Sequence, residues 1–185
     1  MKIPMVDLTR EYEELKNEIN QAIQNVLNKC NFILGEDVLK FEEEFSRFNG
    51  SRYAISVASG TDALRIAILA AGIGPGDEVI TTPFTFIATT ETISQAGAKV
   101  VFADIEEDTY NIDPKSVESK ITSKTKAIIP VHLYGHPADM QKITEIARKY
   151  NLIIIEDCAQ AFTARYKING EWRYVGTIGD FGTFS

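Results

Sequence analysis

The sequence predicts an α/β fold with a mostly parallel sheet covered by helices. Two observations carry that expectation. From residue 53 onward, short β-rich runs alternate with helical segments, and strand–helix–strand spacing of this kind implies crossovers between parallel strands. Two of the runs, Ala127–Val131 and Leu152–Ile155, are apolar at nearly every position, as central strands buried on both faces should be. A length of 185 residues with 44% hydrophobic content suits one domain with a real core. No domain boundary shows in the composition.

The elements follow in order. Tyr12, Leu15, Ile19, Ile23 and Val26 fall on one face of a 3.6-residue period and predict a first amphipathic helix. Val38, Phe41, Phe45 and Phe48 predict a second, with Gly50 as its stop. Strands are expected at Tyr53–Val57, Glu78–Thr82, Lys99–Ala103, Ala127–His132 and Leu152–Glu156. Between them, Thr61–Ala71 reads as a helix closed by Gly72, and Thr89–Gln95 as a shorter one. Asp113-Pro114 has the form of an N-cap followed by proline in the first turn. Asp139 can cap a helix in which Met140, Ile143, Ala147 and Tyr150 share a face. Lys167–Arg173 reads as a polar hairpin around Asn169-Gly170, and Phe181–Ser185 as the start of a further strand.

The 19 basic and 26 acidic side chains give a net charge of −7, which disfavours non-specific binding to nucleic acid or to an anionic membrane. A phosphorylated small ligand needs only local donors and stays open. Two cysteines, Cys30 and Cys158, offer no disulfide framework and fit a reduced, cytoplasmic setting. No apolar run reaches the roughly 18 residues of a membrane span, and Met1–Leu8 does not read as a signal peptide.

Three motifs could carry chemistry. Ser59-Gly60-Thr61-Asp62 follows a strand and opens a helix, where first-turn N–H groups lack intrahelical partners and form an anion site. The plainer reading is an ordinary N-cap. Ile155-Glu-Asp157-Cys-Ala-Gln160 brings a carboxylate to the C-terminal end of a hydrophobic strand, where open α/β sheets bind ligands. Such a carboxylate can hold a protonated heterocyclic nitrogen, with Gln160 donating to a phenolic oxygen; alternatively Asp157 caps a turn and Gln160 is solvated. Pro83-Phe-Thr-Phe86-Ile-Ala-Thr89 places aromatic rings at a strand end, suited to stacking on a flat cofactor, although the spacing favours Phe84 and Phe86 as core residues. His132 and His136 stand four apart, but Gly135 and Pro137 break the helix that would align them, so no metal site is expected. Cys158 beside Asp157 reads as a buried structural thiol in preference to a nucleophile.

Together these motifs resemble the sugar-nucleotide aminotransferases of the DegT/DnrJ/EryC1/StrS family. The matching stretches are Asn31–Gly35, Ser59–Leu64, Gly76–Ile80, Phe84–Phe86, Gly97-Ala98, Val131–Gly135, Glu156–Gln160 and Gly182–Ser185, in order along the whole chain. The resemblance implies a three-layer αβα sandwich, the large domain of the pyridoxal phosphate (PLP) dependent transferases of fold type I. It implies PLP as cofactor. Gly60 and Thr61 would cradle the phosphate and Phe86 would stack on the ring. Asp157, the catalytic acid, would pair with the ring nitrogen and Gln160 with the phenolic oxygen. Ser185 would contact the phosphate. Thr163 stands where the family usually has glycine, so the backbone after Gln160 is expected to differ slightly.

The resemblance further implies transfer of an amino group from L-glutamate to a nucleotide-linked keto-sugar, by a homodimer. The family's Schiff-base lysine would lie about five residues past Ser185. Residues 1–185 are therefore expected to be the N-terminal helices plus most of the PLP-binding large domain, truncated before the rest of that domain and a small C-terminal domain, and inactive alone. A strand that the family fold inserts beside Tyr53–Val57 would also be missing, leaving that strand with an unpaired edge. Two other readings stay open: a PLP-dependent sugar dehydratase of the same family, and a non-catalytic regulatory protein binding PLP or nucleotide-sugar.

Overall fold

The computed structural model describes residues 4–185. The reading made from Met1–Leu8 therefore falls partly outside the described residues. The chain divides into two compact units, the first reaching to Phe45 and the second Ser46–Ser185, where composition alone marks no boundary.

In the first unit, α1 (Leu8–Lys29) starts at Asp7, whose carboxylate accepts from the Arg10 N–H, and ends on Cys30 in the left-handed region. The expected apolar stripe is present in sequence, yet α1 buries none of its residues, and Tyr12, Leu15, Ile19 and Ile23 are all exposed. Helix α2 (Glu36–Asn49) begins in this unit and runs on into the second, with Phe41 and Phe45 in ring contact at 5.7 Å.

The second unit is a parallel sheet between two helical layers. Its elements are α3 (Gly60–Ala70), β1 (Glu78–Thr81), α4 (Ala88–Gln95), β2 (Lys99–Phe102), α5 (Pro114–Ser119), β3 (Thr125–Ile129), α6 (Met140–Tyr150), β4 (Ile153–Asp157), the hairpin β5 (Arg165–Ile168) and β6 (Glu171–Tyr174), and β7 (Phe181–Thr183). The sheet order is β2-β1-β3-β4-β7, with every pair parallel.

The strands alternate their side chains between two cores. Val79, Ala127, Ile129 and Ile155 point to one face, where they meet Leu64, Ala67 and Ile68 of α3 and Ala88 and Ile93 of α4. Ile80, Ile128 and Ile154 point to the other, against Val117 of α5 and Met140, Ile143, Ile146 and Ala147 of α6. Period-2 alternation thus builds the expected αβα sandwich from runs that are apolar throughout. Each buried isoleucine contributes about 1.5–3 kcal/mol of transfer free energy.

One expected strand is absent. Residues 53–57 form no ladder, with Tyr53 and Ile55 exposed. A strand is defined by its partner, and no described residue pairs with this segment. Boundaries also shift. The continuous ladder of β3 ends at Ile129, but the run expected as Ala127–His132 stays beside β4, with Val131 bridging Asp157 and the His132 N–H donating to the Asp157 carbonyl, before a single 3-10 turn at Leu133–Gly135. The hairpin forms as expected, its turn taken by Asn169 (φ 50°) and Gly170 (φ 88°), both in the left-handed region that a two-residue connection requires.

Candidate active site

Three carboxyl-terminal strand ends and one helix start surround a cavity of about 140 Å³. Its walls include Ser59, Gly60 and Thr61 from the start of α3, Phe86 and Thr89 from the segment after β1, Asp157 and Ala159 at the end of β4, and Thr183 to Ser185 at the end of β7. Five of the six residues singled out from the sequence, Gly60, Thr61, Phe86, Asp157 and Ser185, therefore line one space. The sixth, Gln160, stands outside the lining. Its side-chain carbonyl accepts from the Tyr134 N–H at 2.8 Å, which leaves the amide NH₂ as its donor end.

At one end of the cavity the polar groups are backbone donors. The Ser59 hydroxyl caps α3 by accepting from the Asp62 N–H at 3.1 Å. The Ser59 carbonyl accepts from Ala63. Gly60 and Thr61 are left as the first-turn donors without an intrahelical acceptor. The N-cap and anion-site readings are thus compatible: Ser59 caps, and the next two N–H groups remain. Gly60 is needed for space. A Cβ built there would stand 2.7 Å from the Cβ of Ser185, so any side chain would force the two segments apart.

Asp157 supplies the opposite end. It is 5% exposed, and its Oδ2 accepts from the Thr89 hydroxyl at 2.9 Å while Oδ1 accepts from the Ala159 N–H at 3.2 Å. Burial pushes its carboxyl above the usual range, while these two hydrogen bonds and the nearby His132 pull the other way. A buried carboxyl at a strand tip is placed to hold a cationic partner.

Phe84 and Phe86 are not core residues, contrary to the expectation from spacing. They are 43% and 71% exposed, and Phe86 borders the cavity. Because β1 ends at Thr81, both rings lie in the loop beyond the sheet, where Phe84 contacts the Tyr110 ring at 5.9 Å. Thr163 has no positive φ, so its backbone makes no demand that only glycine could meet.

Behind the cavity sits a polar brace that sequence reasoning missed. Glu156, fully buried, accepts from Ile178 N–H at 2.8 Å and Gly179 N–H at 2.7 Å on one oxygen, and pairs with His132 Nε2 at 3.0 Å on the other. His132 Nδ1 accepts from the Ala138 N–H, so the ring proton resides on Nε2 and is donated to Glu156. With Cys158, these residues form a cluster of potential ligand atoms within 4.8 Å of one another, yet both histidine nitrogens are already engaged by the protein. Burial, then the charges of Glu156 and Asp157, hold the Cys158 thiol well above its ordinary value, which keeps it protonated and unreactive. Thr89 was also missed as a partner of Asp157. No sequence signal marked it, because Thr85 lies in the loop before α4 and the partner carboxylate comes from β4, 68 residues away.

The comparisons with known proteins agree with this architecture. Residues 13–185 match the model of the DegT/DnrJ/EryC1/StrS aminotransferase family. The chain belongs to that family. It is 50% identical over 185 residues to a pleiotropic regulatory protein of Geobacillus stearothermophilus, covering 100% of this chain and 49% of the relative. It is 50% identical over 165 residues to UDP-2-acetamido-2-deoxy-3-oxo-D-glucuronate aminotransferase of Pseudomonas aeruginosa, covering 89% and 46%. Among solved structures, S. venezuelae DesV in complex with a ketimine intermediate superposes with a TM-score of 0.91 at 44% identity, covering 95% of this chain and 46% of that one. NtdA of Bacillus subtilis with bound cofactor PMP gives 0.83 at 39% identity, covering 86% and 37%. The chain thus spans about half the length of the curated relatives it matches. Among the described residues, no helix is long and apolar enough to cross a membrane.

Proposed function

We propose that this cavity holds pyridoxal phosphate and that the intact protein transfers an amino group from L-glutamate to a nucleotide-linked keto-sugar. The observation that carries the reading is the pairing of two unlike ends across one small space: free helix N–H groups at Gly60 and Thr61, and the buried carboxyl of Asp157. A phosphorylated, nitrogen-containing ring needs both. The Gly60–Ser185 contact supports the fit, since a Cβ would close the cradle.

The bound cofactor would supply an electron sink for cleavage of a bond at the substrate's amine-bearing carbon. The chain's own residues do the rest. Gly60, Thr61 and the Ser185 hydroxyl bind the phosphate. Phe86 flanks the ring. Asp157 keeps the ring nitrogen protonated, which is where the sink draws its strength. The NH₂ of Gln160, oriented by the Tyr134 N–H, donates to the phenolic oxygen. Homodimer assembly and a cytoplasmic location belong to the same reading and rest on the family resemblance.

Asp157→Asn in the intact protein should lower transamination by several orders of magnitude while changing pyridoxamine phosphate affinity only a few-fold, measured by single-turnover absorbance and by equilibrium titration. Normal turnover in this variant would remove Asp157 from its role.

A second reading is favoured by one observation, the 50% identity to a protein named for regulation. Under it, the cavity binds the same ligand without turnover. Adding L-glutamate to the PLP-loaded intact protein separates the two: the enzyme's absorbance band shifts, and a binding protein's does not.

A further inference from the structure

Asp157 is buried and must nonetheless stay charged to serve a cationic partner. We infer that Thr85 and Thr89 form a one-way hydroxyl chain that holds Asp157 in its charged form and aims it into the cavity, making both threonines positioning residues. The inference rests on the reading of Asp157 as the partner of a protonated ring nitrogen, and it deepens that reading.

The direction of the chain follows from proton counting. Thr89 has one hydroxyl proton, and its Oγ1 donates that proton to Asp157 Oδ2 at 2.9 Å. The Thr85 and Thr89 hydroxyl oxygens stand 3.0 Å apart. With the Thr89 proton committed to the carboxylate, the proton between the two threonines must come from Thr85. The order is Thr85 to Thr89 to Asp157, with every dipole pointing its positive end at the carboxylate. Aligned hydroxyls polarise one another, so the Thr89 bond is stronger than it would be alone. Protonated Asp157 gains less, because a carboxylic acid accepts more weakly than a carboxylate.

The surroundings give the device a purpose. Burial opposes the charged form of Asp157, and the Thr89 hydroxyl is the largest influence working against burial, followed by the Ala159 N–H and then His132, from the segment after β3. Asp157 and Glu156 in turn act on the neighbouring Cys158 thiol. The local fold serves the chain. Thr89 is 1% exposed in the first turn of α4, and Thr85 lies in the loop just before that helix. The Thr89 hydroxyl occupies Oδ2 from the α4 side and Ala159 N–H occupies Oδ1, which leaves the remaining lone pairs for the cavity that Asp157 and Thr89 both line.

The test is a ¹³C NMR titration of the protein labelled at aspartate Cγ, with Asp157→Asn identifying the signal. Thr89→Val, which keeps the shape and removes the hydroxyl, should move the Asp157 midpoint upward. Thr85→Val should move it upward by less, and Thr89→Ser should restore the parent value. An unchanged midpoint in Thr89→Val overturns the inference. Should that buried variant fail to fold, Thr85→Val at a partly exposed position decides alone, and an unmoved midpoint there is equally fatal. Titration of the parent with pyridoxamine phosphate runs alongside. Absence of binding there strikes the proposed function, whereas the carboxyl midpoints address the hydroxyl chain with no ligand present.

Discussion

At the residue scale, Asp157 is held in a state the fold itself disfavours. Its folded carboxyl is raised above the unfolded value by burial. A raised carboxyl binds its proton more tightly in the folded state, so folding is favoured most at low pH, and stability is lost as pH rises through the folded value. At neutral pH the charge therefore costs stability, as expected of a group retained for function. Asp157→Asn keeps the shape and removes the charge. It should raise the unfolding midpoint at pH 7, and the gain should shrink as pH falls through the Asp157 titration. Urea melts at several pH values check this; a variant less stable than the parent at pH 7 would contradict it. Gly60 works in the opposite sense. It is kept for closeness to Ser185, and no charge is involved.

At the element scale, β4 carries two adjacent carboxylates with different duties. Asp157 faces the cavity. Glu156 points the other way, since neighbouring strand residues face opposite sides, and ties β4 to His132 and to Ile178-Gly179 before β7. Replacing Glu156 by Leu strands one imidazole and two backbone donors, at about 1–3 kcal/mol for each unsatisfied group. Chemical denaturation of Glu156→Leu should show a loss of several kcal/mol, and a loss below about 1 kcal/mol would show the brace to be dispensable. The two carboxylates also mark what the sequence could disclose. Asp157 was legible because a hydrophobic run delivers it to a strand tip. Glu156 was not, because its partners come from residues 22–24 positions away, and no local pattern encodes such a meeting. The same contrast governs the strands. β3 and β4 declare themselves by unbroken apolar runs. Residues 53–57, Tyr-Ala-Ile-Ser-Val, are also β-rich, yet no ladder forms, because pairing depends on a partner and not on propensity.

At the scale of the molecule, the parallel order β2-β1-β3-β4-β7 gathers every strand's carboxyl end on one edge, and the cavity is a consequence of that topology. The net charge of −7 is no obstacle to binding a phosphate there, since the donors are backbone N–H groups within one turn of α3. The amphipathic stripe of α1 was readable in the sequence; that it lies exposed was not, because periodicity names a face and not what covers it. The central claim is that one small ligand bridges the start of α3 and the tip of β4. A crystal structure of the protein grown with pyridoxamine phosphate tests it most directly. The account predicts phosphate oxygens within hydrogen-bond reach of the Gly60 and Thr61 N–H groups, and the ring nitrogen within reach of Asp157. A ring bound elsewhere, or one whose nitrogen faces away from Asp157, would contradict it.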